Sequence, residues 1–179
     1  MRIISGKYRG KTIIAPRNLP VRPTTDFAKE ALFNLITNRF YLEQISVLDL
    51  FAGTGNISYE FASRGTENIT SIDASPLCTK FIYQTKEKLS FDSINPIKGD
   101  ALKYLERAYA KWDIIFADPP YDLAIHDQLI ETVFRKDLLT EDGILIIEHP
   151  NTVKLDTHPY CTDNRKYGNV HFSFFEKGK

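Results

Sequence analysis

Cysteine is scarce in this sequence of 179 residues, and the two thiols, Cys78 and Cys161, have no partner at a paired-thiol or zinc-ligand spacing. That excludes a disulfide framework of the kind that stabilises small secreted domains, and it favours a reducing, cytoplasmic compartment. The four histidines have no mutual metal-ligand spacing either, so we expect no metal site.

Long apolar runs are also lacking. No stretch approaches the roughly 20 apolar residues that a membrane-spanning helix needs. The charged first residues are not followed by the apolar segment of a secretory signal. What remains is the composition of a globular protein, 42% hydrophobic and 26% charged, with the length of one domain. Nothing indicates an obligate interface, so we expect a monomer.

Acidic residues are missing from the first 25 positions. The six basic residues there are Arg2, Lys7, Arg9, Lys11, Arg17 and Arg22. The rest of the chain holds 17 basic and 23 acidic residues, although the whole sequence is formally neutral. A basic segment on an acidic body suits a protein that contacts phosphates at one end. Chance clustering on a solvated hairpin explains the charge equally well, so charge alone does not decide between them.

Short β segments alternate with helical stretches along the chain. The first 15 residues predict a small hairpin, and Thr25 is expected to cap a helix that ends near residue 38. Further on, apolar runs predict strands at 47–51, 69–73, 95–99, 113–117, 143–148 and 170–176. Helices between most of them make an α/β fold with a doubly wound, mostly parallel sheet the expected architecture. We divide the chain into a basic arm, residues 1–24, and a larger domain, residues 25–179.

Acidic residues lie at or near the ends of five predicted strands: Asp49, Asp73, Asp100, Asp118 and Glu148. In a parallel sheet, ligands bind beyond these carboxyl ends. Asp73 is suited to accept hydrogen bonds from ribose hydroxyls, and Asp100 from an adenine amine. Any one of these acids alone is more often a helix cap or a loop acceptor. Together they favour a nucleoside-type ligand.

A loop with two glycines, Gly53 and Gly55, follows the first acid. Glycines permit a tight turn and a close approach of a ligand to the backbone. The dinucleotide-binding pattern would have a third glycine where Ser58 stands, so a nicotinamide-dependent reductase is disfavoured. Asp49 just before the loop favours a positively charged ligand, such as one with a sulfonium and an ammonium group.

The tetrapeptide Asp118-Pro119-Pro120-Tyr121 ends the strand predicted at 113–117. Two prolines stop the strand and remove two N–H donors. The Asp118 carboxylate and the Pro119 carbonyl can then both accept hydrogen bonds from an amine, while Tyr121 stacks on a planar base. This combination is typical of methyl transfer to an exocyclic base amine, in which positioning does most of the catalysis.

With these motifs the sequence resembles the RsmD-type 16S ribosomal RNA guanine-N2 methyltransferases almost end to end. Asp-Pro-Pro-Tyr alone is shared with DNA adenine-N6 and cytosine-N4 methyltransferases. The ribosomal family is indicated by further runs: Arg2-Ile3-Ile4-Ser5-Gly6, Arg22-Pro23-Thr24-Thr25-Asp26 and Lys29-Glu30-Ala31-Leu32-Phe33-Asn34. One departure is Phe27, which stands where the family commonly has arginine.

The resemblance implies a Rossmann-like class I methyltransferase fold, S-adenosylmethionine as methyl donor and 16S ribosomal RNA as partner, either naked or as an assembling small subunit. The catalytic residues it implies are Asp118, Pro119 and Tyr121. Those for the methyl donor are Asp49, Ala52, Gly53, Thr54, Gly55, Asp73, Asp100 and Ala101. Those for RNA are Arg2, Lys7, Arg9, Lys11, Arg22 and Thr24.

Two alternatives remain open at this point. A DNA amino-methyltransferase would share the tetrapeptide but normally needs a separate target-recognition region, for which the roughly thirty residues after the core are too few. A non-catalytic RNA-binding protein would need only the basic arm. The intact glycine loop and tetrapeptide argue against that second alternative.

Overall fold

The computed structural model of this chain describes residues 1–19 and 24–178. Its strands are β1 (Ser46–Leu50), β2 (Asn68–Asp73), β3 (Ile94–Lys98), β4 (Trp112–Ala117), β5 (Leu139–His149), β6 (Cys161–Tyr167) and β7 (Val170–Phe175). Its helices are α1 (Asp26–Thr37), α2 (Asn56–Ser63), α3 (Pro76–Leu89), α4 (Ala101–Arg107) and α5 (His126–Arg135), with a short 3₁₀ turn at Leu42–Gln44.

The strands form one sheet in the order β3-β2-β1-β4-β5-β7-β6. Strands β1 to β5 are parallel to one another, β7 is antiparallel to β5, and β6 is antiparallel to β7. The chain winds outward from β1 to β3, then returns to β4 on the other side of β1. The expected doubly wound sheet is therefore confirmed, with its switch point between β1 and β4.

Helices cover both faces of the sheet because the parallel strands are apolar on both sides. In β4, Ile114 and Phe116 belong to the core beneath α1, α2 and α3. Ile115 and Ala117 point the opposite way and pack with α4 and α5. This alternation is the period of two that a pleated strand imposes.

Side-chain caps start three of the helices where the sequence indicates them. Thr25 Oγ1 accepts a hydrogen bond from Ala28 N at 3.2 Å, and Asp100 Oδ1 accepts one from Lys103 N at 2.8 Å. Ser75 caps α3, with Pro76 at the first helical position. Ser75 and Asp100 come directly after β2 and β3, so these two caps lie at the carboxyl edge of the sheet.

The N-terminal arm is a reduced hairpin rather than two regular strands. Among residues 1–19 its β-pairing is a single antiparallel bridge between Arg2 and Thr12. The arm is held on α2 by the buried Glu60, which accepts hydrogen bonds from Ile4 N at 2.9 Å and Ser5 N at 3.0 Å. The expected hairpin is thus present in outline, and buried polar contacts fasten it to the domain.

Two features of the sheet differ from expectation. Strand β6 was not predicted, because its mostly polar and exposed residues lack an apolar alternation. Strand β5 begins four residues earlier than predicted, since it continues through the exposed positions 141 and 142. In the part of the chain that the structure describes, every helix is too short or too polar to cross a membrane.

Candidate active site

A cavity of about 980 Å³ opens at the carboxyl edge of the sheet, beside the switch point. Most of the residues proposed from the sequence line it: Thr24, Asp49, Ala52, Gly53, Thr54, Asp73, Asp100, Ala101, Asp118, Pro119 and Tyr121. Gly55 and the basic arm residues Arg2, Lys7, Arg9 and Lys11 are not in the lining. Arg22 lies outside the described residues.

The loop after β1 lines this cavity, and two of its residues have left-handed backbone conformations. Phe51 and Gly53 have positive φ angles of 57° and 56°. The Gly53 N–H donates to Asp73 Oδ2 at 2.8 Å, which ties the loop to the end of β2. The backbone of the loop is thereby held open to a ligand.

Gly55 serves the packing of the loop rather than the cavity wall. Its φ is +81°, and a Cβ atom there would lie 2.7 Å from the Tyr59 ring. Its nitrogen donates to Ala52 O at 2.7 Å as the loop turns into α2. The second glycine of the motif is therefore explained by the turn and by Tyr59.

Asp73 accepts hydrogen bonds at both carboxylate oxygens. Besides Gly53 N, Ser75 N donates to Asp73 Oδ1 at 2.8 Å. Because each carboxylate oxygen has two lone-pair sites, the side chain can still accept from a ligand in the cavity. Its backbone contacts fix the orientation in which it would do so.

Asp49 is buried under the loop, with only 1% of its surface exposed. Ser58 Oγ donates to Asp49 Oδ2 at 2.5 Å and shares a second hydrogen bond with the Ser71 hydroxyl at 2.6 Å. Burial raises the pKa of Asp49 from 3.8 to about 7, against the opposing effect of the Ser58 hydrogen bonds. Ser58 therefore supports the acid, a role that its place in the glycine pattern did not suggest.

Asp118 and Glu148, at the ends of the neighbouring strands β4 and β5, form a second acidic group in the cavity. Burial raises the pKa of Asp118 well above its usual range, and the charges of Glu148 and Asp49 raise it further. Burial also raises the pKa of Glu148 from 4.5 to about 7, although a hydrogen bond from Thr24 opposes the change. Three carboxyls close together in a cavity would be stabilised by a positively charged ligand.

Thr24 lies in the cavity wall rather than among the exposed basic residues of the arm. Its Oγ1 donates to Glu148 Oε2 at 2.6 Å, and its carbonyl accepts from Asn56 Nδ2 at 3.0 Å. Lys29 Nζ in turn donates to Asn56 Oδ1 at 2.7 Å and lies 3.4 Å from Glu60 Oε2. This buried chain of polar contacts connects the arm to Glu148.

The charge of the lining is strongly acidic. Five acids contribute to it: Asp49, Asp73, Asp100, Asp118 and Glu148. Among the described residues that line the cavity, Lys166 is the single basic one. The donor set fits a ligand that carries positive charge, ribose hydroxyls and an amine, and it disfavours a pyrophosphate.

One wall of the cavity was not predicted from the sequence. It is formed by the end of β6, with Lys166 and Tyr167, by the turn that follows it, and by Phe27 of α1. Phe27 is 67% exposed, and its ring meets that of Tyr167 edge to face at 6.1 Å. The pair Gly168-Asn169, which is typical of a turn and precedes the strand predicted at 170–176, is the sequence signal for the turn in this region.

The basic residues of the arm lie on its surface. Lys7, Arg9 and Lys11 are exposed, and Arg2 forms an ion pair with Asp26 at 3.4 Å. They therefore form a positively charged surface separate from the acidic cavity.

Comparison with known proteins finds relatives that match almost the whole chain. A family model described as conserved hypothetical protein 95 matches residues 1–176. Ribosomal RNA small subunit methyltransferase D of Buchnera aphidicola subsp. Baizongia pistaciae is 30% identical over 98% of this chain and 91% of its own length. A putative rRNA methyltransferase of Bacillus subtilis, YlbH, is 33% identical over 87% of this chain and 85% of its own. The solved structure of a putative methyltransferase from Escherichia coli, yhhF, superposes with a TM-score of 0.84 at 23% identity, covering 98% of this chain and 96% of that one.

Proposed function

The chain belongs to the family described as conserved hypothetical protein 95, and it has relatives named ribosomal RNA small subunit methyltransferase D. From this family membership we propose the reaction that it catalyses. It transfers a methyl group from S-adenosylmethionine to the exocyclic N2 amine of a guanine in 16S ribosomal RNA. The enzyme acts in the cytoplasm as a monomer.

One observation carries the proposal more than any other. Asp118 directly follows a buried strand, lies in the acidic cavity and is followed by two prolines that hold the chain in a rigid corner. A carboxylate and a carbonyl at such a corner are two fixed acceptors for the two hydrogens of an amine. Tyr121, 58% exposed at the same cavity, offers a ring on which a base can stack.

The methyl donor is assigned to the part of the cavity between the β1 loop and α4. Asp73 accepts the ribose hydroxyls, Asp100 and Ala101 lie at the adenine, and Asp49 beneath Gly53 complements the positive charge. When bound, S-adenosylmethionine supplies the methyl group, whose bond to sulfur breaks with the electron pair left on sulfur while a bond to the guanine N2 forms.

The protein's own part in the reaction is positioning and acceptance of a proton. Hydrogen bonds from the amine to Asp118 and to the Pro119 carbonyl direct the nitrogen lone pair toward the methyl group. After transfer the nitrogen has one proton in excess. Asp118, whose pKa is raised, is a better acceptor for that proton than an ordinary exposed aspartate.

The exposed Lys7, Arg9 and Lys11 would hold the phosphates of the RNA. Their separation from the cavity suits a substrate that is bound over a large surface while one base enters the site. Guanine stands in the cavity and its neighbours lie along the arm.

Radioactive methyl transfer tests the proposal. The protein is incubated with tritiated S-adenosylmethionine and with 16S ribosomal RNA, small subunits or duplex DNA, and the products are digested to nucleosides. N2-methylguanosine from RNA or subunits is the expected product. N6-methyladenine or N4-methylcytosine nucleosides from DNA would show that the protein is a DNA amino-methyltransferase instead.

A further inference from the structure

The sequence motif explains why an amine is methylated, but it does not explain which base presents that amine. The neighbouring strand β5 offers a residue for this choice. Ala117, the last residue of β4, pairs in register with Ile147 of β5, so Asp118, which directly follows β4, lies beside Glu148 of β5. Adjacent strands lie about 4.8 Å apart, which is a suitable spacing for two groups that read neighbouring positions on one base edge.

Glu148 is held in a single orientation at this place. Its side chain is 3% exposed and lines the cavity. Thr24 Oγ1 donates to Oε2 at 2.6 Å. No other donor among residues 1–19 and 24–178 reaches the carboxylate, so Oε1 remains an acceptor for a ligand in the cavity. Thr24 is in turn fixed through its carbonyl by Asn56.

The bases that carry an exocyclic amine differ at the ring nitrogen beside it. In guanine, N1 next to the N2 amine bears a hydrogen. In adenine and cytosine, the ring nitrogen next to the amine bears a lone pair. An acceptor such as a glutamate carboxylate would bind the first edge and repel the other two.

We propose that Glu148 is the residue that selects guanine: it accepts a hydrogen bond from the ring N1–H while Asp118 accepts one from the N2 amine. Thr24 is a positioning residue for Glu148. This inference rests on the proposed function and assigns the base specificity within it.

The test uses RNA that carries one of two bases at the methylated position, mapped first with the wild-type enzyme. One RNA has guanine, and the other has 2-aminopurine, which keeps the exocyclic amine but has a lone pair at N1 and no O6. The measured quantity is the ratio of kcat/KM for the two RNAs. Any effect of the missing O6 is common to wild type and variants and cancels in the comparison.

Glu148→Gln is the decisive variant. The Thr24 hydroxyl can still donate to the amide oxygen, which leaves the amide N–H₂ directed at N1 of the base. In guanine the N1–H then faces this amide donor and neither group can accept. In 2-aminopurine the N1 lone pair accepts a hydrogen bond from the amide. We expect the guanine to 2-aminopurine ratio to fall by about 100-fold, roughly tenfold from each substrate.

Two further variants make the result interpretable. Asp100→Asn makes the same chemical change at another acid of the cavity and is expected to leave the ratio unchanged. Thr24→Val removes the donor that orients Glu148 and is expected to lower the ratio by a smaller factor, which tests the inference even when Glu148→Gln folds poorly. Circular dichroism and urea denaturation verify that each variant is folded.

The outcomes distinguish a failure of the proposed function from a failure of the role assigned to Glu148. A wild-type enzyme that methylates no guanine overturns the proposed function, and this inference with it. A wild-type enzyme that methylates guanine while Glu148→Gln slows both RNAs by the same factor overturns this inference alone. An unchanged ratio in Thr24→Val, with a folded protein, overturns the positioning role of Thr24 and, where Glu148→Gln does not fold, the inference itself.

Discussion

At the scale of single residues, the site depends on carboxyl groups that the fold removes from water. Asp49 and Glu148 are buried and Asp118 is partly buried, and in each the pKa is raised chiefly because removal from water disfavours the charged form. Their presence at strand ends could be predicted from the sequence. Their mutual repulsion could not, because it arises when three distant segments are brought together.

Substituting Asp118→Asn separates chemistry from binding. The amide keeps the shape but loses an acceptor for the amine and for its proton, so kcat should fall by about 10²- to 10⁴-fold. Affinity for S-adenosylmethionine, measured by calorimetry, should change little. Asp122→Asn, on the exposed part of the same loop, is the matched control and should retain full activity.

The raised pKa of Asp49 gives a pH dependence of stability with a defined sign. Between its ordinary pKa of 3.8 and its folded pKa of about 7, the folded protein binds more protons than the unfolded chain. The contribution of Asp49 to the free energy of unfolding therefore decreases as the pH rises through this window, by about 1 kcal/mol per pH unit.

The buried histidines oppose this trend, because burial lowers the pKa of His126 and His149. The comparison of wild type with Asp49→Asn isolates the aspartate. In urea denaturation without ligand, the variant should become progressively more stable than wild type from pH 5 to pH 7. A constant difference across that range would contradict the assignment of the raised pKa to Asp49.

At the scale of elements, the attachment of the arm to α2 depends on a close backbone approach. Gly6 has a φ of +82°, and a Cβ atom there would lie 1.8 Å from the carbonyl oxygen of Ser63. Such an overlap requires the arm to move away from α2. It would also disturb the hydrogen bond from Lys7 N to Ser63 O, which is 2.7 Å long.

Gly10 provides a control for this close approach. It has the same φ of +82°, but nothing lies within 4 Å of the position of its Cβ. In Gly10→Ala the free energy of unfolding should fall only by the strain of an alanine in the left-handed conformation, about 1 kcal/mol. In Gly6→Ala the free energy of unfolding, measured by urea denaturation, should fall by clearly more. Equal losses would mean that the overlap with Ser63 adds nothing to the strain of the backbone.

The elements themselves were largely predictable, and the exceptions have a physical cause. The parallel strands are buried on both faces, so their apolar runs stand out from the polar segments around them. Strand β6 lies at the edge of the sheet, with exposed residues such as Asp163 and Arg165, and its position there is set by its pairing with β7. The cavity wall that this hairpin supplies, with Lys166 and Tyr167, was missed for the same reason.

At the scale of the whole molecule, opposite charges are kept apart on one small body. The cavity is lined by five acids, while exposed cations of the arm lie outside it on the face of the sheet that packs α1 and α2. The near-zero net charge thus conceals two surfaces of opposite sign. An anionic RNA would be repelled by the cavity and attracted by the arm, so only a neutral base is suited to enter.

Reversing the charge of the arm should weaken RNA binding while leaving the cavity intact. In the double variant Lys7→Glu and Lys11→Glu, affinity for RNA should fall and depend less steeply on salt. The slope of log K against log salt should decrease in magnitude by about 2, roughly one for each lysine that no longer neutralises a phosphate. Affinity for S-adenosylmethionine should remain that of the wild type, because neither lysine lines the cavity.

The matched control reverses two exposed cations on the other face of the sheet, Lys103→Glu and Arg107→Glu of α4. Both double variants change the net charge equally, so a general electrostatic effect would lower RNA affinity in both. A loss of affinity confined to the arm variant would show that RNA follows the path from Lys7 and Lys11 toward the cavity. Equal losses of affinity would remove the arm from the RNA-binding surface, while the assignment of the methyl transfer site would stand, since it rests on the acids at the carboxyl edge of the sheet.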